Sequence, residues 1–112
     1  MWVRLIALAV AAGVAGVVRD AAVEIRTSQF REQRLEIPVG TRVVWSNQDE
    51  IEHTITSGVP DSGDGGFAGR LAGKGSTFGH RFDRAGTDRY YCDRHHFMRG
   101  EIRVVPDTNG AH

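Results

Sequence analysis

The chain of 112 residues is poor in several things, and each shortage excludes something. It holds one cysteine, Cys92, so no intramolecular disulfide is available and the fold must rest on packing. Lys+Arg and Asp+Glu number 14 each, which leaves no excess charge of either sign and gives nucleic-acid binding no compositional support. No stretch beyond residue 20 carries the apolar spacing of an amphipathic helix of useful length. A βαβ nucleotide-binding unit is thereby excluded, although Gly63-Asp64-Gly65-Gly66-Phe67-Ala68 has glycines at dinucleotide-fingerprint spacing. Asp61 and Asp64 have no glutamate completing an EF-hand loop, so calcium is excluded on the same stretch. The one long apolar run, Leu5 to Val18, is shorter than the roughly 20 residues a membrane span requires. With Arg4 before it and small residues within it, residues 1–20 read as a secretory leader or an N-terminal anchor. The folded part is therefore expected outside the cytoplasm, in the periplasm or otherwise exported, with a membrane involved only if the segment is retained.

What is present is short strands. Residues 22–27 alternate, with Val23 and Ile25 on one face. Leu35 and Ile37 alternate with charged neighbours before a Pro38-Val39-Gly40 turn. Residues 41–46 are β-branched and aromatic, as in a central strand. Further strands are expected over 52–57, 77–83, 87–92 and 100–105, and residues 58–75 read as a Gly-rich surface loop. Strands at this spacing predict an all-β sandwich of about seven to eight strands in one domain over residues 21–107, with 108–112 a flexible tail.

The chemistry is concentrated in residues 90–100, Tyr-Tyr-Cys-Asp-Arg-His-His-Phe-Met-Arg-Gly. Cys92, His95 and Met98 stand at i, i+3 and i+6 and offer a thiolate, an imidazole and a thioether. Soft sulfur with imidazole suits copper, and two histidines with one cysteine and a weak axial methionine is the blue-copper ligand set. The missing imidazole is best supplied by His53, at the head of an alternating stretch. Zinc is a poorer match, since methionine is a weak zinc ligand. His80 lies on a face with Phe78 and Phe82 and reads as a packed histidine, and His96 points away from its neighbour His95.

These residues resemble the cupredoxins of the plastocyanin and amicyanin type. The resemblance runs through Val43-Val44-Trp45-Ser46-Asn47, His53-Thr54-Ile55-Thr56, Gly86-Thr87, Tyr90-Tyr91-Cys92 and Phe97-Met98-Arg99-Gly100, with the short amicyanin-like ligand loop. It implies a Greek-key sandwich with one copper at one end, held by His53, Cys92, His95 and Met98. It also implies a monomer that shuttles single electrons between protein partners docking near His95 and Phe97, with no catalytic residues. Pro60 or Phe67 would extend that patch, and Asp93, Arg94 and Arg99 would form its charged rim. His96 stands where the family commonly has proline, and Thr54 where many relatives have an asparagine bonding towards the cysteine strand. The alternative function is a copper carrier. An enzyme would need further histidine clusters, and the remaining histidines are scattered.

Overall fold

A computed structural model describes residues 19–107. The expected leader lies outside the described residues over 1–18, and the expected flexible tail over 108–112 does so too. Arg19 and Asp20, assigned above to the leader, are in the fold: the first strand starts at Asp20, and the Arg42 amide donates to the Arg19 carbonyl.

Among the described residues nine strands follow in order: β1 (Asp20–Ile25), β2 (Phe30–Arg31), β3 (Arg34–Pro38), β4 (Thr41–Asn47), β5 (His53–Val59), β6 (Ser62–Leu71), β7 (Thr77–Phe82), β8 (Gly86–Tyr91) and β9 (Arg99–Val105). They form a four-stranded sheet ordered β2-β1-β4-β7 and a five-stranded sheet ordered β3-β9-β8-β5-β6. β1 runs parallel to β4 and β3 parallel to β9, while the other pairs are antiparallel. The inner faces meet on Val23, Ile25, Leu35, Ile37, Val43, Trp45, Ile55, Leu71 and Ile102, each at most 1 % exposed. Apart from Leu71, which lies in the stretch read as a loop, these are the inward members of the alternations visible in the sequence.

Two strands were not expected. β2 is a two-residue pairing that holds Phe30 against the Tyr90 ring at 4.7 Å. β6 replaces most of the expected 58–75 surface loop with a ten-residue edge strand. Its inward positions Phe67 and Leu71 are buried, and Gly69 between them carries no side chain. The ring of Phe78 from β7 occupies that space instead; a Cβ on Gly69 would lie 2.3 Å from it. A core position filled from the opposite sheet is invisible to a hydrophobic count, which is why the strand reads as a loop.

Antiparallel pairing places the start of β5 and the ends of β4 and β8 at one end of the sandwich. Residues 48–52 connect β4 to β5 there, and residues 92–98 connect β8 to β9.

Candidate metal centre

His53 opens β5 as its first inward residue and is fully buried. Cys92 follows the last residue of β8, also fully buried. The connection to β9 is closed by its own backbone. The His95 amide donates to the Cys92 carbonyl (3.3 Å), the Met98 amide to that of His95 (2.9 Å), and the Cys92 amide to that of Met98 (3.1 Å). The two successive three-residue turns need the spacing between Cys92, His95 and Met98, and the third bond closes the loop across its six residues. They fold the loop into a cup with Met98 buried at its foot.

Within the cup, Cys92 Sγ lies 3.7 Å from His53 Nδ1 and 3.6 Å from His95 Nδ1. His53, Cys92 and His95 are the one group of three or more such side chains among the described residues whose donor atoms lie within 4.8 Å of one another. Metal–imidazole and metal–thiolate bonds run about 2.0–2.3 Å, so separations of this size would let one ion reach the thiol sulfur and both imidazoles, and a His₂Cys donor set fits copper. The two imidazoles face each other edge to face at 5.1 Å. His53 is sealed, whereas His95 is half-exposed with its ring 6.1 Å from Phe97.

Around the donors lies a second layer of contacts. The Thr54 amide donates to Cys92 Sγ (3.4 Å), where it stabilises a thiolate. The Thr54 hydroxyl accepts from the Asp93 amide (2.7 Å), so threonine ties β5 to the ligand loop as an acceptor. Asn47 is fully buried; its Nδ2 donates to the Ile51 carbonyl (2.8 Å) and its Oδ1 accepts from the Asp49 amide (2.8 Å), which shapes the approach to His53.

The sequence reading missed Asp49. Its Oδ2 lies 2.9 Å from His53 Nε2, the ring nitrogen facing away from the metal position. The same carboxylate accepts from the Thr27 amide (2.7 Å) and the Ser28 amide (2.8 Å). Burial pushes the Asp49 carboxyl up, but the hydrogen bonds from Ser28, His53 and Thr27 together hold it below the usual carboxylate range. An ionised Asp49 fixes Nε2 as the protonated nitrogen and leaves Nδ1 free as the donor. The signal was a carboxylate four residues before the candidate ligand, but spacing in a loop does not reveal contact.

The other histidines stay out. His80 stacks on Phe67 at 4.7 Å, far along the sandwich. His96 turns outward, with Nε2 3.8 Å from Asp93 Oδ1 and its ring edge-on to Tyr91. Trp45 and Tyr91 are buried. Of the residues expected around His95, Phe97 is 70 % exposed, but Phe67 is buried in the core between Trp45 and His80 and contributes nothing to the patch. Pro60 lines a depression with Val59 and Arg89 that adjoins the groove of Phe97 through Gln33 and Arg99. On the rim, Arg94 pairs with Glu52 (3.4 Å), which also pairs with Arg70.

A two-sheet sandwich with a cysteine and two histidines converging at one end defines the cupredoxin class. The chain belongs to the copper binding proteins of the plastocyanin/azurin family, whose sequence profile it matches over residues 18–105. It is 30 % identical to the amicyanin of Paracoccus denitrificans over 82 residues, which is 73 % of this chain and 63 % of that protein. Its structure is similar to that of a purple cupredoxin from Nitrosopumilus maritimus, at a TM-score of 0.70 and 30 % identity over 76 % of this chain and 99 % of that one. It is also similar to a reduced amicyanin variant, at a TM-score of 0.68 and 27 % identity over 83 % and 87 % of the two chains.

Proposed function

We propose that the protein is a type 1 copper electron carrier. One copper would be held by His53 Nδ1, Cys92 Sγ and His95 Nδ1, with the buried Met98 offering its thioether as a further, weaker donor. Bound copper supplies a one-electron Cu(I)/Cu(II) couple. The observation that carries the reading is the convergence of one buried cysteine sulfur and two imidazole nitrogens at 3.6–3.7 Å, with His53 and Cys92 separated by 39 residues in the chain.

The chain's own contribution is rigidity. His53 is gripped by Asp49, Cys92 by the Thr54 amide, and the loop by its two turns and the bond that closes them. Donors held from outside cannot rearrange much when the metal charge changes, and that keeps the cost of each transfer low. The same burial argues against a carrier that hands over the metal itself, because His53 and Cys92 are sealed from any exchanging ligand. With three protein donors and Met98 around the ion, no position is left for a substrate, so the protein is read as a carrier and not an enzyme. Electrons enter and leave through half-exposed His95, with Phe97 as the apolar contact for redox partners. The protein works as a monomer outside the cytoplasm, the location that residues 1–20 imply.

Addition of Cu(II) to the purified apoprotein tests the reading. An intense blue thiolate–copper band is expected, and Cys92→Ala abolishes it. A colourless adduct, or colour that survives Cys92→Ala, overturns the assignment.

A further inference from the structure

We infer that an arginine-lined hollow on the outer face of the five-stranded sheet is a steering and docking surface for an acidic redox protein. The inference rests on the electron-carrier reading and extends it to the chemistry of the partner. Register places Arg34 of β3 opposite Glu101 of β9, and Glu101 opposite Arg89 of β8. Directly opposed residues project from the same face of a sheet, so three adjacent strands carry a row Arg34–Glu101–Arg89. Arg99 lies two residues before Glu101 and so shares that face. The four surround a depression of about 260 Å³ whose remaining wall includes Val59 and Pro60.

Three features together mark this hollow. First, all three arginines are exposed, and none forms an ion pair within 4.0 Å among the described residues. Arg31, Arg42 and Arg84 are likewise without an ion pair among the described residues, whereas Arg70 and Arg94 pair with Glu52, Arg81 with Asp83 and Arg103 with Glu36; what the hollow adds is three such cations on one face, with Arg99 steadied by its Nε donating to the His96 carbonyl (3.2 Å). Second, the charge is unbalanced, three cations around the single carboxylate of Glu101, on a chain whose total formal charge is zero. Third, the hollow is continuous with the copper end. Gln33 and Arg99 line it, and both also line the neighbouring groove that contains Phe97 and Met98. A partner seated on Phe97 would therefore reach the arginines without leaving the surface. Guanidinium groups pair bidentately with carboxylates, and Val59 adds an apolar contact that is 38 % exposed. Such a patch raises the encounter rate of an acidic partner more than it raises affinity.

The test uses the copper-loaded, reduced protein and two small oxidants of opposite charge, hexacyanoferrate(III) and tris(phenanthroline)cobalt(III), as charge probes of the surface. The double variant Arg34→Ser/Arg89→Ser, with an unchanged copper spectrum, should lower the hexacyanoferrate rate constant about three- to ten-fold at roughly 10 mM ionic strength. The loss should vanish at high salt, and the cobalt rate should hold or rise. Arg81→Ser/Arg84→Ser makes the same change of net charge at the end of β7 remote from the copper and should leave the hexacyanoferrate rate nearly unchanged. Equal losses from both double variants would reduce the effect to net charge and overturn the inference, as would no loss from the first. Failure of the carrier reading is a separate result, because the wild-type protein would then exchange electrons with neither oxidant.

Discussion

At the scale of single residues, the centre depends on a side chain that binds no metal. The His53 ring could present either nitrogen, and nothing in its strand position selects Nδ1. Asp49 selects it by taking the Nε2 proton, and Asp49 is itself fixed by the Thr27 and Ser28 amides. Both donors of those amides have positive φ, 52° and 54°, a conformation that turns two consecutive N–H groups towards one carboxylate. Removing the carboxylate frees the ring and leaves three donors without their acceptor. Asp49→Ala should therefore weaken copper binding about 10- to 100-fold, the usual effect of losing a partner behind a ligand. Competition against a chelator of known affinity measures it. An unchanged affinity would mean that packing alone orients His53. The four donors were legible in the sequence because their identities and the three-residue steps are chemical constraints in themselves. Asp49 was not legible, because its role arises from a meeting with residues 21 and 22 positions earlier.

At the scale of elements, the same contrast separates the strands that could be read from those that could not. β1, β3, β4 and β9 each bury their own alternating side chains, so periodicity exposes them. β6 buries a neighbour's ring over Gly69, and β9 does likewise at Gly100, where a Cβ would lie 2.2 Å from the Tyr90 ring. The two close approaches differ in how far the ring can yield. Phe78 is only partly buried, whereas Tyr90 is 1 % exposed and wedged between Phe30 and Trp45. Gly100→Ala should thus cost about 1–3 kcal/mol or more in urea denaturation of the apoprotein, and Gly69→Ala distinctly less. Equal costs would show that the Tyr90 ring can yield. The bulge where β5 meets β6 carries an electrostatic test of its own. The Ser57 hydroxyl donates to Asp64 (2.5 Å) and, with the Gly66 amide, lowers the Asp64 carboxyl below the usual range. A carboxylate lowered in the folded state adds stability above its unfolded pKa and loses it as pH falls through the folded value. Asp88 is the opposite case: burial, then the nearby Asp64 charge, raises it, so its ionisation opposes folding at neutral pH. Asp64→Ala should destabilise by about 1 kcal/mol at pH 7. Asp88→Asn should stabilise there, and both differences should shrink as the pH falls towards 3, which denaturant midpoints at the two pH values will check.

At the scale of the whole molecule, the copper end is where the two sheets are tied together. β1 and β2 belong to the four-stranded sheet and meet in the turn that carries Thr27 and Ser28. His53, Cys92 and the ligand loop belong to the five-stranded sheet. Asp49 spans them, and Asn47 adds a second tie where its Nδ2 also approaches the Leu71 carbonyl at 3.4 Å. The opposite end is closed by the Thr41 hydroxyl donating to the Pro38 carbonyl (2.7 Å), by the Val39 amide donating to that of Val105 (2.9 Å) and by an ion pair between Arg19 and Asp107 (3.3 Å). Copper adds to the first end a link that the unfolded chain cannot reproduce, because its donors converge only after β5 and β8 have paired. A ligand that binds the native state alone stabilises it by mass action, about 4 kcal/mol when free metal stands at 1,000 times Kd. For a domain of this size each kcal/mol is worth roughly 4–8 °C in Tm, so anaerobic loading with Cu(I) should raise Tm by roughly 15–30 °C. Cys92→Ser should lose most of that rise while leaving the apoprotein close to its original Tm, since the serine is nearly isosteric. Asp49→Ala should lose part of it, because a weaker site contributes less, and should also lower the apoprotein Tm by cutting the link between the sheets. Calorimetry of the three proteins with and without metal separates the two effects. An Asp49→Ala apoprotein as stable as wild type would show that the sheets are held by the core alone and that the carboxylate serves only the histidine.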